Sequence, residues 1–493
     1  MQSMEREKPG RNTGFPFLGR HAIQNVGKGR DRKLMQSEET ITALATPPGE
    51  GGIAVIRISG PESLGIIRTL FVTKKRSKLQ EIRPRTFYYG YITDEGQHPV
   101  DEVLMVYMKA PHTYTREDVV EIHCHGGMVP VRRIIGLVLS AGARLAQPGE
   151  FTKRAFLNGR IDLAQAEGVM ELISAKSDEA ARISLEQMEG TLSGKIHALR
   201  QELLDLLAHI EVSVDYPEED IEELLAEEAR RKLDNARLQC RQLLASADQG
   251  KLIRDGIRVA IIGKPNVGKS SLLNALVRQN RAIVTDVPGT TRDVIEEYIH
   301  IRGVLVQIVD TAGIRETTDA IEKIGVEKTK ERAQTADLIL LLLDASRALE
   351  KEDLEILKWL KDRKVLILLN KSDLPSVIEE DRIRKISGSR IIRTSMTDGT
   401  GLAETEEHIV GLVESGRLGP KNSAVIMNSR HKEVLLRAER YLGEALSALD
   451  SSIPLDMVTI DIRNVLEALG EITGESVTES LIDKIFSEFC VGK

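Results

Sequence analysis

The chain has 493 residues, which is enough for about three domains. Its formal net charge of −7 gives no overall electrostatic attraction to nucleic acid, so any RNA contact must be local. The three cysteines, Cys124, Cys240 and Cys490, are too scattered for a disulfide framework and fit a reducing compartment. The apolar runs are far shorter than a membrane span, and we therefore expect a cytoplasmic protein.

Residues 1–37 differ in composition from the rest of the chain. They are rich in Gly, Arg and Lys and show little apolar periodicity. A transit peptide is poor in acids, whereas this stretch carries Glu5, Glu7 and Asp31. We expect a disordered extension, or a segment upstream of a true start at Met35.

The next segment, residues 38–157, alternates short apolar runs with turns. This alternation predicts several strands and one helix, which together make a compact α+β domain. The strands are predicted at 53–58, 103–108 and 119–122, and the helix at 129–139.

Two segments, 158–255 and 415–493, have the apolar periodicity of helices. The termini of an inserted domain often lie close together. We therefore predict that both segments form one helical domain, into which an α/β domain at 256–414 is inserted. The alternative is two separate helical arms. The clearest apolar stripe consists of Leu192, Ile196, Leu199, Leu203, Leu207 and Ile210.

The segment 263–270 reads Gly-Lys-Pro-Asn-Val-Gly-Lys-Ser, after an apolar run and before leucines at helical spacing. A strand, a glycine-rich loop and a helix form the phosphate-binding loop, whose backbone N–H groups face the phosphates. Lys269 would reach the β and γ phosphates, and the Ser270 hydroxyl would ligate Mg²⁺. The predicted nucleotide contacts in this loop are Asn266, Val267, Gly268, Lys269, Ser270 and Ser271.

Further motifs follow in the order expected for a GTPase. Gly289 begins a Gly-Thr-Thr-Arg-Asp segment, Asp310 an Asp-Thr-Ala-Gly segment and Asn370 an Asn-Lys-Ser-Asp segment. The last two end apolar runs, and open α/β sheets bind ligands at such strand ends. The predicted contacts are Thr285, Asp286, Val287, Pro288, Gly289, Thr290, Thr291, Asp310, Thr311, Ala312, Gly313, Asn370, Lys371, Ser372, Asp373, Ser395 and Met396.

The Asp373 carboxylate indicates which base is bound. It can accept two hydrogen bonds from the N1–H and N2–H₂ edge of guanine, and adenine lacks this donor pair. Asn370 and Lys371 would support the base. Ser395 and Met396 stand at the last base-contacting loop, where most GTPases have Ser-Ala. The pattern predicts GTP.

Ile314 follows Asp-Thr-Ala-Gly, where many GTPases have a Gln that orients the attacking water. Another group must therefore do this work, or hydrolysis is slow. The Asn266 side chain could hold a monovalent cation against the phosphates, with carbonyls of 285–290 completing its shell. Three acids follow, and spacing alone does not choose among them: Glu316, Asp319 and Glu322.

Some polar residues lie outside these motifs. His123 and His125 flank Cys124, but their spacing fits no common zinc site. Residues 147–160 combine one acid, Glu150, with the bases Lys153, Arg154 and Arg160 at a domain junction, where ligand sites tend to form. Cys490 is a lone cysteine near the C-terminus, and such residues are mostly small buried hydrophobes.

From residue 39 onward the chain resembles the MnmE (TrmE) family of tRNA-modification GTPases. Several motifs outside the GTPase segment carry this resemblance. They are the segments 45–52, 57–60, 114–118, 125–127, 148–158, 162–167 and 470–474, together with the Cys-Val-Gly-Lys tail from Cys490.

The resemblance implies three parts: a tetrahydrofolate-binding N-terminal domain, a helical domain built from both flanks, and an inserted Ras-like GTPase domain. It implies a homodimer joined through the N-terminal domains. With the flavoprotein MnmG (GidA), such a protein adds a carboxymethylaminomethyl or aminomethyl group to carbon 5 of the wobble uridine of certain tRNAs. A one-carbon folate would supply the methylene carbon.

The resemblance also implies roles for individual residues. Glu322 would position the attacking water, and Cys490 would point at the folate pocket. Arg160 stands where Lys is common, and Arg116 replaces the Gly of a Thr-Gly-Glu-Asp pattern. Potassium would be ligated by Asn266, Thr285, Val287 and Thr290, magnesium by Ser270 and Thr291, and the folate by Arg57, Glu121, Arg160 and Lys493.

Two other functions are compatible with parts of the sequence. A ribosome-assembly GTPase would share the cation-binding phosphate loop, but it would carry an RNA-binding domain or a second GTPase domain. A folate-dependent aminomethyltransferase would share the N-terminal domain and would act without tRNA or GTP.

Overall fold

The computed structural model describes residues 39–75, 77–79, 81–215, 219–279, 297–309, 334–414, 424–451 and 453–493. The predicted N-terminal extension lies outside these residues. The chain divides into two compact units, one up to Ile161 together with residues 479–493, and the other from Asp162 to Thr478.

The elements of the first unit are β1 (Ile41–Leu44), β2 (Ala54–Ser59), α1 (Ser63–Leu70), β3 (Phe71–Thr73), β4 (Phe87–Thr93), β5 (Pro99–Met108), β6 (Val119–Cys124), α2 (Met128–Ser140), β7 (Arg144–Leu145) and α3 (Glu150–Leu157). The strands form a seven-stranded sheet with the order β3-β4-β5-β6-β2-β1-β7. All neighbouring strands are antiparallel except β1 and β7. The predicted α+β fold is confirmed.

Alternation along the strands gives this sheet two different faces. One face packs its apolar side chains, such as Ile56, Met105 and Ile122, against α1 and α2. On the other face, Phe151 of α3 packs with Ile41 and Ala43 of β1. Within the described residues, part of this second face over β4 and β5 stays exposed, at Phe87, Tyr89 and Leu104.

The second unit begins with the helices α4 (Leu163–Ser174), α5 (Asp178–Met188), α6 (Thr191–Asp215), α7 (Glu219–Ala245) and α8 (Ala247–Asp255). After an α/β domain it continues with α13 (Ser429–Asp450) and α14 (Leu455–Thr473). Leu203 of α6, Leu233 of α7, Leu442 of α13 and Ile462 of α14 are fully buried in one common core. The prediction of a single helical domain split by an insertion is therefore confirmed.

The inserted domain contains β8 (Ile257–Ile262), α9 (Lys269–Gln279), β9 (Glu297–Ile301), β10 (Val304–Val309), β11 (Leu338–Asp344), α10 (Lys351–Trp359), β12 (Val365–Asn370), α11 (Glu380–Ser387), β13 (Arg390–Arg393) and α12 (Leu402–Glu414). Its sheet has the order β13-β12-β11-β8-β10-β9. Every pair is parallel except β9 with β10. Because parallel strands end at the same edge, the loops after β8, β11, β12 and β13 meet there.

The last helix, α15 (Glu479–Ser487), belongs to the first unit. The sequence groups residues 415–493 with the helical domain, but α15 packs on α3 instead. Phe486 lies 6.2 Å from the Phe156 ring, and Lys153 donates a 2.5 Å hydrogen bond to Asp483. Helical periodicity shows that this segment has an apolar face, but not which surface covers that face.

Two glutamates on α4, Glu167 and the partly buried Glu171, have opposite surroundings around their carboxylates. Glu167 accepts hydrogen bonds from Arg430 at 2.6 Å and contacts His431 at 2.7 Å. Burial alone would raise the pKa of Glu167, but these two partners outweigh it and lower the pKa. Glu171, one turn away, has no hydrogen-bond partner for either carboxylate oxygen among the described residues. Burial, and then the charge of Glu167, raise the pKa of Glu171 to about 8.

Replacing Glu171 with Gln should stabilise the protein increasingly as pH rises from about 4.5 to about 8. In this range the unfolded chain releases the carboxyl proton while the folded chain retains it, so wild-type stability falls relative to the variant. We expect a difference of about 1 to 3 kcal/mol near pH 8 that vanishes below about pH 4.5. Denaturant unfolding across this range measures the difference. Glu189→Gln, on an exposed residue, is the control, and a pH-independent difference would contradict the assignment.

Candidate functional site

The phosphate-binding loop connects β8 to α9. Gly263 and Gly268 have φ angles of 156° and 105°, and Asn266 lies in the left-handed region at 65°. A Cβ atom at Gly268 would lie 2.1 Å from Nδ2 of Asn370. Glycine is therefore required at 268 both by the backbone angle and by the neighbouring loop.

Lys269 begins α9 and reaches back over this loop. Its ammonium donates hydrogen bonds of 2.7 Å to the carbonyls of Gly263 and Lys264. Burial lowers the pKa of Lys269, and a nearby phosphate would oppose that shift by stabilising the charged form. Ser270 and Ser271 follow in the first turn and are exposed, and backbone N–H groups at a helix N-terminus favour anions.

The base-recognition loop after β12 is tied to the phosphate-binding loop. Asn370 is buried, and its Nδ2 donates a 2.7 Å hydrogen bond to the carbonyl of Val267. Ser372 donates its backbone N–H to Thr394 at 3.1 Å. These bonds fix the spacing between the phosphate end and the base end of the site.

Asp373, the predicted guanine-binding carboxylate, is exposed at this edge of the sheet. Ser395 is fully buried and lies just after β13, and its N–H donates to the Thr400 carbonyl at 3.0 Å. Met396, which replaces the usual Ala, packs partly buried against the core of the α/β domain. Its side chain therefore contributes to packing.

Sequence reasoning missed Asp344 at the end of β11. Its carboxylate accepts a 2.6 Å hydrogen bond from Lys371, whose backbone is left-handed with a φ of 62°. Burial alone would raise the pKa of Asp344, but hydrogen bonds from Lys371 and Ser346 outweigh it and lower the pKa. The sequence feature that could have indicated this residue is an acid, Asp344, directly after the apolar run 338–343.

The remaining predicted nucleotide and metal contacts belong to the switch segments and the Asp-Thr-Ala-Gly segment. They lie outside the described residues and comprise Thr285, Asp286, Val287, Pro288, Gly289, Thr290, Thr291, Asp310, Thr311, Ala312, Gly313 and the acid Glu322.

A second group of predicted residues meets on the sheet of the first unit. Arg57 of β2 lies opposite Glu121 of β6 in the strand register. The guanidinium donates to Oε1 of Glu121 at 2.9 Å from Nε, and Nη2 lies 2.8 Å from the same oxygen. Both side chains are 19% exposed, so this charged pair can be reached from solution.

Tyr114, which was not predicted as a site residue, lies between two arginines. Its ring centroid is 4.5 Å from the Arg160 guanidinium carbon and 6.0 Å from that of Arg57. Its hydroxyl is 2.9 Å from the Thr152 hydroxyl. In the sequence, Tyr114 is marked only by its place in the Tyr-Thr-Arg-Glu-Asp motif. Its position between the two arginines follows from the fold.

The C-terminal tail reaches the same cluster. The Gly492 carbonyl accepts a 3.4 Å hydrogen bond from Arg57, and a Cβ atom at Gly492 would lie 2.2 Å from the Leu44 carbonyl. The Cys490 side chain is exposed, whereas its carbonyl accepts a 3.3 Å hydrogen bond from Gly149. The backbone of the tail therefore holds Lys493 near the predicted site.

Known proteins match the parts of the chain that contain the nucleotide-binding residues and the residues around Arg57 and Glu121. The model for the MnmE helical domain matches residues 163–490, and the model for the N-terminus of the GTP-binding protein TrmE matches residues 40–160. The tRNA modification GTPase MnmE of Alkaliphilus metalliredigens is 52% identical over 92% of this chain and 99% of its own. The chain belongs to the MnmE family. The relatives in Clostridioides difficile and Geobacillus thermodenitrificans are 50% and 49% identical, over 92% and 93% of this chain and 99% and 100% of theirs.

The resemblance seen in the sequence is thus confirmed. As a member of the MnmE family, the chain is a GTPase of tRNA modification that uses GTP and Mg²⁺. Among the helices that the structure describes, none combines the length and the apolar character needed to cross a bilayer.

Replacing Gly268 with Ala should lower the affinity for guanine nucleotides at least about tenfold. The new methyl group would displace Asn370 and force an unfavourable φ angle, so both ends of the site would shift. Gly388→Ala is the matched control, because Gly388 has a φ of 64° with open space around it. Titration with a fluorescent GDP analogue should show near-normal binding by this control. Equal losses in both variants would show that the effect is general backbone strain.

Proposed function

We propose that this GTPase acts with the flavoprotein MnmG to modify carbon 5 of the wobble uridine of certain tRNAs. The added group is carboxymethylaminomethyl or aminomethyl, and the reaction takes place in the cytoplasm. The supporting observation is the 52% identity to a tRNA modification GTPase, which extends over 92% of the chain and so spans both groups of residues. GTP hydrolysis would drive the conformational change that this modification requires.

The nucleotide would bind at the edge of the sheet formed by the loops after β8, β12 and β13. Lys269 would neutralise the β and γ phosphates, while Asp373 would accept the guanine N–H groups. Ser270 offers a hard oxygen ligand of the kind that Mg²⁺ prefers, and Thr291 would provide another. The rigid link from Asn370 to the phosphate-binding loop supports simultaneous recognition of phosphate and base.

A potassium ion would bind at the same loop. Asn266 is exposed and left-handed, so its side-chain oxygen can serve as a ligand without disturbing the packed core. Thr285, Val287 and Thr290 would supply the other oxygens. A cation at this position would neutralise the negative charge that develops on GDP as its bond to the γ-phosphoryl group breaks.

The cluster around Arg57 and Glu121 would bind a one-carbon tetrahydrofolate. A reduced folate has a pterin ring, whose edge carries N–H donors, and a negatively charged glutamate tail. The Glu121 carboxylate suits the donors, and Arg160 and Lys493 suit the negative tail. Cys490 would lie at the same pocket.

The uncovered part of the N-terminal sheet supports a homodimer joined through this unit. Phe87 and Tyr89 of β4 and Leu104 of β5 are 57%, 46% and 43% exposed and lie beside one another on the same face. Adjacent exposed apolar side chains of this size are typical of interaction surfaces. Most soluble homo-oligomers are closed two-fold dimers.

Replacing Glu322 with Ala should leave GTP affinity unchanged and abolish most hydrolysis. The proposed role of this carboxylate is to orient the attacking water, which matters in the transition state and not in the bound ground state. Single-turnover hydrolysis and equilibrium binding measure the two effects separately. Glu316→Ala and Asp319→Ala are the controls and should hydrolyse GTP normally. Near-wild-type hydrolysis by the Glu322 variant would refute the assignment.

A strain that lacks its own MnmE-family gene should regain modified wobble uridine when it expresses this chain. Mass spectrometry of nucleosides from bulk tRNA measures the outcome directly. The Gly268→Ala variant should fail to restore the modification, because its nucleotide site is disrupted. An unchanged tRNA profile with the wild-type chain, despite normal expression, would rule out the proposed substrate.

A further inference from the structure

His123 lies beside the proposed folate site and is not one of the proposed folate ligands. It is two residues after Glu121 on β6, so both side chains point to the same face of the sheet. The imidazole packs edge-on against Phe87, with ring centroids 5.5 Å apart. Arg57, Glu121, His123 and Phe87 therefore lie close together on this face.

The Nε2 atom of His123 is buried and has no hydrogen-bond partner within the described part of the chain. It lies 3.5 Å from Oε2 of Glu121, close to that oxygen but outside hydrogen-bond geometry. Arg57 contacts the other oxygen, Oε1. Buried polar atoms without partners are uncommon and costly, so a small adjustment that satisfies this nitrogen would be favoured.

A carboxylate has room for several donors. Two oxygens provide about four lone-pair positions, of which the Arg57 contacts use those on Oε1. A hydrogen bond from His123 to Oε2 would fix the rotation of the carboxylate and leave further lone-pair positions for a ligand. A carboxylate that is already held in one orientation loses less conformational entropy when the ligand binds.

We propose that His123 is a positioning residue of the folate site, whose Nε2–H orients Glu121 to accept the N–H groups of the pterin edge. This inference rests on the proposed folate-binding function. His123 acts through Glu121, and Phe87 holds its ring in place.

Binding of 5-formyltetrahydrofolate, measured by isothermal titration calorimetry on the full-length protein, tests the proposal. His123→Leu keeps apolar packing against Phe87 but removes the donor, and we expect about a tenfold loss of affinity. His123→Gln carries an amide donor of similar reach and should bind within about threefold of wild type. His98→Leu, at a side chain that is 81% exposed in the same unit, is the matched control and should bind normally.

A double-mutant cycle separates a positioning role from a packing role. In a Glu121→Gln background, His123→Leu should cause little further loss, because the carboxylate through which His123 acts is already absent. Additive losses, or equal losses in the Gln and Leu variants, would overturn the proposal. Thermal unfolding of each variant shows whether a loss of binding reflects a loss of folding.

The same titrations distinguish a failure of the proposed folate site from a failure of the proposed role of His123. If the wild-type protein itself does not bind 5-formyltetrahydrofolate, the proposed folate site fails. If the wild type binds and both His123 variants bind equally well, only the role of His123 fails.

Discussion

The packing of α6 and α7 against α13 and α14 is the constraint on which the second unit depends. These helices come from opposite sides of an inserted domain, yet Leu203 and Ile462 are fully buried in the same core. Burial of each such leucine or isoleucine contributes about 1.5 to 3 kcal/mol. The core therefore brings the two ends of the α/β domain together and keeps that domain attached at both ends.

The junction between α8 and the α/β domain shows how closely the two parts are joined. Gly256 is the only residue between α8 and β8, and a Cβ atom there would lie 2.8 Å from the Leu305 carbonyl of β10. The Lys176 ammonium lies 3.7 Å from the Tyr298 ring of β9. Both strands border segments that carry predicted nucleotide contacts. A displacement of β9 or β10 would therefore be transmitted to the helices through direct contacts, because close-packed protein interiors are hardly compressible.

Three glutamates show that the surroundings of a side chain determine its role. Glu167 is buried with a cationic partner, so it remains charged and ties α4 to α13. Glu171 has no such hydrogen-bond partner among the described residues and is held protonated near neutral pH. Glu121 stays partly exposed beside Arg57, where its charge is available for a ligand. Only the last arrangement suits recognition of a soluble molecule.

The sequence alone determined the elements that depend on local pattern. The strands Ile257–Ile262 and Val304–Val309 coincide with near-continuous apolar runs between turn residues, and this pattern is typical of buried parallel strands. The glycine-rich loop and the Asn-Lys-Ser-Asp segment likewise indicated a nucleotide site, since backbone approach to phosphate requires glycine at particular spacings. The motifs outside the GTPase segment were sufficient to identify the family.

Tertiary structure alone decided which distant residues meet. No spacing rule links Arg57 to Gly492, Lys371 to Asp344 or His123 to Phe87, because these pairs are joined through strand register and helix docking. The position of α15 followed the same principle. Its amphipathic pattern required a partner surface, but only the packing of Phe486 on α3 showed that this surface belongs to the N-terminal unit. Periodicity is a local property, whereas the choice of packing partner depends on the whole fold.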